Sequence, residues 1–511
     1  MRSKEYLLAH DLGTTGNKST LFDIDGKMIA TAYSPYTTTH SMPGRAEQNP
    51  QDWWRAVCVC TRELLGRSSD IAERIVGVSS SGMMNGCVLI DDNGEAVRPA
   101  MIHADIRSTT QCARIARDIG QERACAISGN RLAPYFTLGK LAWLAEQESE
   151  SLKKARWCVQ AKDYLAGRLT GVWGITDPSD ASLTGMFDLS KMAWSDELVT
   201  ASGAPKSLFP TVVPSITVVG RISPQVWEET GLLPGTPVAL GGGDGACATA
   251  GAGALFPGDA YHYLGGTSWI GVITDGYQPD PEARISTLCG LAPGEYVNYG
   301  TVQSAGSSIE WFLRTVEMGD DDPDRYDRME ALALQSAPGS RGLIYLPYLQ
   351  GERSPIWNPN ARGAFIGLTE AHGKADLARS VYEGVAFALG SIMKIYDEMG
   401  LASGAIRALG GGMRSRLWRH ILAAVYQHPL LVMERLVEAT SCGAAIAAGM
   451  AVGLLPDRAS ARRFSPVMIK EDYDPELGKI YSEKQVLFER LYPLLKPVYD
   501  SMQEKDEFSS M

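Results

Sequence analysis

From residue 5 to 36 apolar and polar side chains alternate at strand period, interrupted by Gly13-Thr-Thr-Gly16 and by Asp23-Ile-Asp-Gly26. That pattern predicts three antiparallel strands, the second turn carrying a glycine where positive φ is wanted. Asn49-Pro-Gln-Asp52 then predicts a helix start, with Pro50 in its first turn and Trp53, Val57 and Leu64 on one side, ending near Gly66. Buried strands are expected at Arg74 to Ser79 and Cys87 to Asp91, and helical periodicity dominates from Thr109 to Gly171. Proline and glycine concentrate at Pro205 to Pro214 and Leu233 to Pro237, before an apolar strand at Val238 to Leu240. This places a domain change nearby, giving units of 1–250 and 251–511. The opening hairpin pattern returns at 260–274, followed by a helix at Ser308 to Val316 and a strand at Gly342 to Leu349. Helices are predicted at Ala375 to Met399, Arg416 to His428 and Thr440 to Val452, and an amphipathic one from Asp474 onward. Strands followed by helices, twice over, imply an α/β sheet with helices against its faces, built as two pseudo-repeats.

A chain of 511 residues exceeds what one hydrophobic core usually organises, which supports two domains. Hydrophobic residues at 45% and charged residues at 21% leave nothing that favours disorder. A net charge of -11 without basic runs argues against nucleic acid or an anionic membrane surface as a partner. The longest apolar stretch, Cys442 to Leu455, has 14 residues, short of the about 20 that a membrane span needs. No signal peptide is expected, because Asp11 and a glycine turn interrupt the apolar start at Tyr6 to Ala9. Nine scattered cysteines with no Cys-x-x-Cys fit reduced thiols in a cytoplasmic protein.

Four glycine-rich turns stand at predicted strand ends. The first, Asp11-Leu-Gly-Thr-Thr-Gly-Asn-Lys18, combines a carboxylate, hydroxyls, a cation and exposed backbone, which together suit a phosphate group. An ordinary hairpin turn has the same composition. A P-loop does not fit, because Asn17 separates Gly16 from Lys18 and the residues that follow read as strand instead of helix. Leu264-Gly-Gly-Thr-Ser268 repeats the design more weakly. Gly241-Gly-Gly-Asp244 sets a carboxylate at a strand's carboxyl end, where open α/β sheets place ligands. Beside phosphate, a carboxylate would repel unless it holds a metal ion or takes a proton from an attacking hydroxyl, so Asp11 is assigned to magnesium and Asp244 to base catalysis. Leu409-Gly-Gly-Gly412, leading into a helix, is either a nucleoside platform or a tight strand-to-helix turn.

Taken together, the chain resembles the FGGY family of carbohydrate kinases over nearly its whole length. The likeness rests on Asp11-Leu-Gly-Thr-Thr-Gly16, Gln48-Asn-Pro with Trp53-Trp54, Lys162-Asp-Tyr-Leu165, Asp180-Ala-Ser182, Gly242-Gly-Asp244, Leu264-Gly-Gly-Thr-Ser268, Gly351-Glu-Arg-Ser-Pro355, Glu383-Gly384, Gly410-Gly-Gly412 and Gly443-Ala-Ala445. The resemblance implies two actin-like (ribonuclease H-like) domains with a nucleotide cleft between them, and transfer of the γ-phosphoryl group of ATP, with Mg2+, to a primary hydroxyl of a small sugar. It implies Asp244 as catalytic base and Asp11 near the metal. It also implies Thr14, Thr15 and Lys18 as the first phosphate loop, Gly266 and Thr267 as the second, and Gly411, Gly412 and Ser415 at the adenosine. A homodimer is left open, and a sugar-sensing ATP-binding scaffold is the non-enzymatic alternative.

The sugar pocket is expected at Met84, Asn85, His103, Asp105, Asp244 and Gly245. Xylulokinases typically carry histidine at the place of Asn85, asparagine at that of Gly245 and tryptophan at that of His103, so this chain departs at three points. Glycerol kinases carry an Arg-Glu pair where this chain has Met84-Asn85. Gluconokinases resemble it in Ala104-Asp-x-Arg-Ser108 and Asp244-Gly-Ala246. An acid substrate would want a fixed cation, for which Arg107 is the nearest candidate unless it is tied to Asp105. Asn85 can donate to and accept from neutral hydroxyls. A xylulose-like pentulose leads, with gluconate or another polyol or sugar acid as the alternative.

Overall fold

The structure, a computed structural model, describes residues 5–316, 322–401 and 404–509, with side chains described up to residue 502. Its contacts form two compact units. The first comprises Met1–Pro257, Ile273–Val297 and Glu438–Pro466, and the second Gly258–Val272, Asn298–Val437 and Val467–Met511. The sequence boundary at 250/251 is therefore joined by two later segments that pack with the first unit.

In the first unit the central sheet runs in the order Met28–Pro35, Gly16–Asp23, Tyr6–Leu12, Ile75–Gly82, Pro237–Ala239, Val218–Arg221. The first three strands are antiparallel, as their alternation predicts, while Tyr6–Leu12, Ile75–Gly82 and Pro237–Ala239 are parallel. Helix Pro50–Leu65 starts where Asn49 Oδ1 accepts the Gln51 amide at 3.1 Å, and buries Trp53, Trp54, Val57 and Leu64 against the sheet. Helix Ala439–Ala451 packs against Tyr6–Leu12 and Ile75–Gly82 and crosses helix Asp244–Gly251.

In the second unit the order is Glu295–Val302, Ser268–Asp275, Ala260–Leu264, Ile406–Leu409, Leu430–Met433, Val467–Glu471. Ala260–Leu264 is antiparallel to Ser268–Asp275 and parallel to Ile406–Leu409, the same relation that Tyr6–Leu12 bears to its two neighbours. Each unit thus repeats one sheet plan. Helix Lys374–Glu398, a 25-residue element, is mostly buried and packs with helices Arg416–Tyr426 and Pro475–Ser509. That last helix is the tail predicted from Asp474; residues 510 and 511 lie outside the described ones.

Two expectations change. The helical stretch of Thr109 to Gly171 contains the strand Trp157–Val159, paired with Val88–Ile90. The strand expected at Gly342 to Leu349 is confined to Ile344–Leu346, because Gly339 and Gly342 take positive φ and form a turn before it. Among the described residues no helix is long and apolar enough to cross a membrane.

Candidate active site

Strand register assembles the first unit's acidic site. Asp11 is level with Ser81 on the neighbouring strand, and Ser81 is level with Gly242 on its other side. The chain then turns at Gly243 into helix Asp244–Gly251, so Asp244 sits at a helix amino end. Its Oδ1 accepts the Gly245 amide at 2.8 Å. Burial, and secondarily the charge of Asp11, push the Asp244 carboxyl up to about 7. Asp11 is also raised, by burial, against the opposing effects of a 2.5 Å hydrogen bond donated by Thr440 Oγ1 and of Lys18, its register partner across the hairpin. Thr440 stands 429 residues from Asp11, and no sequence signal singles it out.

The Gly13–Gly16 turn exposes Thr14 and Thr15, and its carbonyls are tied back. Gly13 O accepts from Tyr36 Oη at 2.5 Å, Thr14 O from Gln48 Nε2 at 2.7 Å and Thr15 O from Tyr33 Oη at 3.1 Å. With three carbonyls held, the turn is stiffened around its exposed hydroxyls and half-buried Lys18, an arrangement suited to an anion. The tyrosines are missing from the sequence reading because a cross-strand brace leaves no local motif.

Met84 packs against Gly243 and Gly245. Asn85 has φ 63, a left-handed conformation that asparagine tolerates better than most residues. Its carbonyl accepts from Lys140 Nζ at 2.5 Å, and its buried side-chain Oδ1 finds no partner among the described residues. Lys140 is fully buried, also donates to Tyr135 O at 2.6 Å, and is lowered by burial to about 7. His103 is half-buried.

Asp105 departs from the expected role as a sugar contact. It is fully buried, with Oδ1 and Oδ2 accepting Arg107 Nε at 2.9 and 3.0 Å, and Oδ2 also accepting Arg107 Nη2 at 2.6 Å and the Ala46 amide at 2.8 Å. These bonds fill its acceptor sites. Arg107 is held as well by Glu47 at 2.7 Å, and stacks 4.9 Å over Trp143. The pair is structural.

In the second unit, the Gly265-Gly-Thr267 turn is backed by the start of helix Gly306–Thr315. Gly265 O accepts the Gly306 amide at 2.9 Å, and Gly266 O the Ala305 amide at 2.9 Å. Thr267 Oγ1 donates to Gln303 O at 3.2 Å, and the Gln303 amide donates to Glu352 Oε1 at 2.7 Å. Glu352 is buried and raised by that burial to about 8. Gly410 packs against the Leu264 backbone so closely that a Cβ would collide with it. This sets the Gly410–Gly412 turn beside the Gly265–Thr267 turn. Ser415 Oγ accepts the Trp418 amide at 3.0 Å and so caps helix Arg416–Tyr426.

The N-terminal and C-terminal domains of the FGGY family of carbohydrate kinases match residues 6–251 and 260–452. The chain belongs to the FGGY family of carbohydrate kinases. The xylulose kinase of Bacillus subtilis (strain 168) is 31% identical over 88% of this chain and 89% of its own. Among solved structures, gluconate kinase from Lactobacillus acidophilus aligns with a TM-score of 0.92 at 27% identity, covering 98% of this chain and 100% of that one. Xylulose kinase from the same organism aligns at 0.91 and 27%, with the same coverage. This FGGY kinase therefore has the actin-like fold and is a phosphotransferase that uses ATP and an alcohol acceptor.

Proposed function

We propose that this kinase phosphorylates a primary hydroxyl of a neutral pentulose, D-xylulose or a close relative, with Asp244 as the base. The observation that carries the reading is the Asp244 carboxyl, held near 7 at a strand's end, where a base can exist unprotonated and still accept a proton at working pH. Asn85, whose buried acceptor has no partner among the described residues, supplies a site for a sugar hydroxyl, alongside Met84, His103 and Gly245. A neutral sugar is favoured over an acid because Arg107 is committed to Asp105 and Glu47, and Lys140 to two carbonyls. Neither is available to a substrate carboxylate. The nucleotide is assigned to Thr14, Thr15 and Lys18 of the first unit and to Gly266, Thr267, Gly411 and Gly412 of the second, with Ser415 supporting the last turn.

Asp11 offers one hard carboxylate, the donor that Mg2+ uses when it arrives with phosphate oxygens and water; the ion would offset charge on the phosphates. Nine scattered cysteines with no Cys-x-x-Cys spacing support a reducing, cytoplasmic setting, and a homodimer belongs to the same reading.

The deciding experiment ranks kcat/KM over xylulose, ribulose, gluconate and erythritol. Xylulose or ribulose should exceed gluconate by about 10-fold or more, the size of a discrimination worth about 1.4 kcal/mol. Gluconate at the head of the ranking would overturn the neutral-sugar assignment. The first loop is tested separately: Tyr36→Phe removes one hydrogen bond to Gly13 O, and KM for ATP should rise about 3-fold to 10-fold with kcat little changed.

A further inference from the structure

Behind the Gly241–Gly243 run lies a buried charge cluster that the phosphoryl-transfer chemistry does not use. Lys162, with no exposure, is 2.5 Å from Asp163, 2.8 Å from Asp177 and 3.1 Å from Asp180. The three carboxylates are close enough together to hold a cation, and an ammonium group fills that place. Asp177 faces two ways. Its Oδ1 meets Lys162, while its Oδ2 accepts Ser179 Oγ at 2.5 Å and Ser215 Oγ at 2.6 Å. Those two serines each hold the glycine run: Ser179 Oγ accepts the Gly243 amide at 2.9 Å, and Ser215 O accepts the Gly241 amide at 2.9 Å.

A serine hydroxyl has one proton. Since Ser179 gives its proton to Asp177, its oxygen is left to accept from Gly243. The carboxylate thus sets the polarity of the bond that holds Gly243, the residue directly before Asp244. Ser179 and Ser215 are both buried, so no water competes for these bonds.

We propose that Asp177, Ser179 and Ser215 are positioning residues, one carboxylate oxygen clamping both flanks of the glycine run and so fixing where Asp244 is presented. The proposal rests on Asp244 as the base. Lys162 orients Asp177 through the 2.8 Å contact of its Nζ with Oδ1: burial opposes the ammonium charge, yet the three acids around it raise its basicity well above the ordinary range. Capping of the short helix Pro178–Ser182 accounts for the Ser179 amide on Asp177 at 3.0 Å, but not for two hydroxyls converging on the same oxygen.

The test uses Ser179→Ala and Ser215→Ala in the full-length protein, with Asp177→Asn as a third variant. Hydrogen exchange of a peptide covering 241–245 should quicken about 10-fold, while exchange in helix Lys374–Glu398 stays unchanged. In Ser179→Ala, kcat should fall about 10-fold to 100-fold with KM for ATP within about 2-fold, as expected when a reacting group is misplaced instead of lost. The acid limb of its pH profile should also shift. Adding Ser179→Ala to Asp177→Asn should cost little more than Asp177→Asn alone, because both act through one peptide. Unchanged exchange at 241–245 in both serine variants, or activity that falls only with the folded fraction and keeps its pH limb, would overturn the clamp. The exchange result stands apart from the base assignment: if Asp244→Asn retained turnover, the base would be lost while exchange still judged the clamp.

Discussion

Asp244→Asn should fold, bind ATP and lose at least about 100-fold in kcat, the low end of what a positioned base contributes. The pH dependence has a definite sign. Asp244 must be ionised to act as the proposed base, and burial together with Asp11 raises its carboxyl to about 7. As pH falls through that value the proton is taken up, so kcat/KM of the wild type should drop about tenfold per unit well below it. Stability should move the opposite way. A carboxyl raised in the folded state above its unfolded value of 3.8 takes up protons more readily when folded. Its protonated form therefore stabilises the fold, and that contribution is lost as pH rises from about 4 to about 7. At pH 8 the ionised group is a net cost that asparagine does not carry. Asp244→Asn should accordingly show a Tm at pH 8 no lower than wild type, combined with its loss of turnover. Turnover within about tenfold of wild type would remove Asp244 from the reaction, and a Tm several degrees lower would show that its charge is not the source of strain.

Much of the architecture was legible in the chain because it is local. The hairpins Tyr6 to Asp23 and Ala260 to Asp275 announce themselves by period-two alternation around glycine turns, and their likeness foretells the common sheet plan of the two units. Helix Pro50–Leu65 is marked by its cap, its proline and its apolar face. Elements defined by distant partners were not legible. Trp157–Val159 is a three-residue strand among helices, with no length over which alternation can show. Helix Ala439–Ala451 reads correctly as a helix, yet nothing in its sequence says that it packs in the first unit or that Thr440 reaches Asp11. Side-chain commitments were hidden in the same way. Asp105 reads as a pocket residue in sequence and Arg107 as either a pocket cation or its partner, and the contacts with Ala46, Glu47 and Trp143 that fix the pair lie far from any local pattern. Motif residues such as Lys162 and Asp180 were visible as a pattern, while the link from Asp177 through Ser179 to Gly243 required the buried geometry.

Gly443→Ala should be among the most destabilising single-methyl changes in the chain, even though helix propensity predicts the opposite sign. Gly443 lies inside helix Ala439–Ala451, where alanine is ordinarily favoured over glycine by about 1 kcal/mol. At this position a Cβ would collide with the Cys247 carbonyl of helix Asp244–Gly251, and Gly251 on that helix abuts the Ala439 carbonyl in return. The two helices touch backbone to backbone at both glycines. The obstacle is a main-chain carbonyl that cannot rotate away, so accommodation requires the helices to separate. Overpacking of this kind costs about 1–3 kcal/mol and more where backbone must shift; about 3 kcal/mol is expected, lowering Tm by about 3–5 °C in a protein of this size. Separation would also be felt in catalysis, since one helix begins with Asp244 and the other carries Thr440, the donor to Asp11. The folded fraction of the variant should therefore show a reduced kcat at temperatures well below its Tm. A Tm equal to or above wild type would mean that propensity outweighs the steric conflict and that the helix crossing is looser than its geometry indicates.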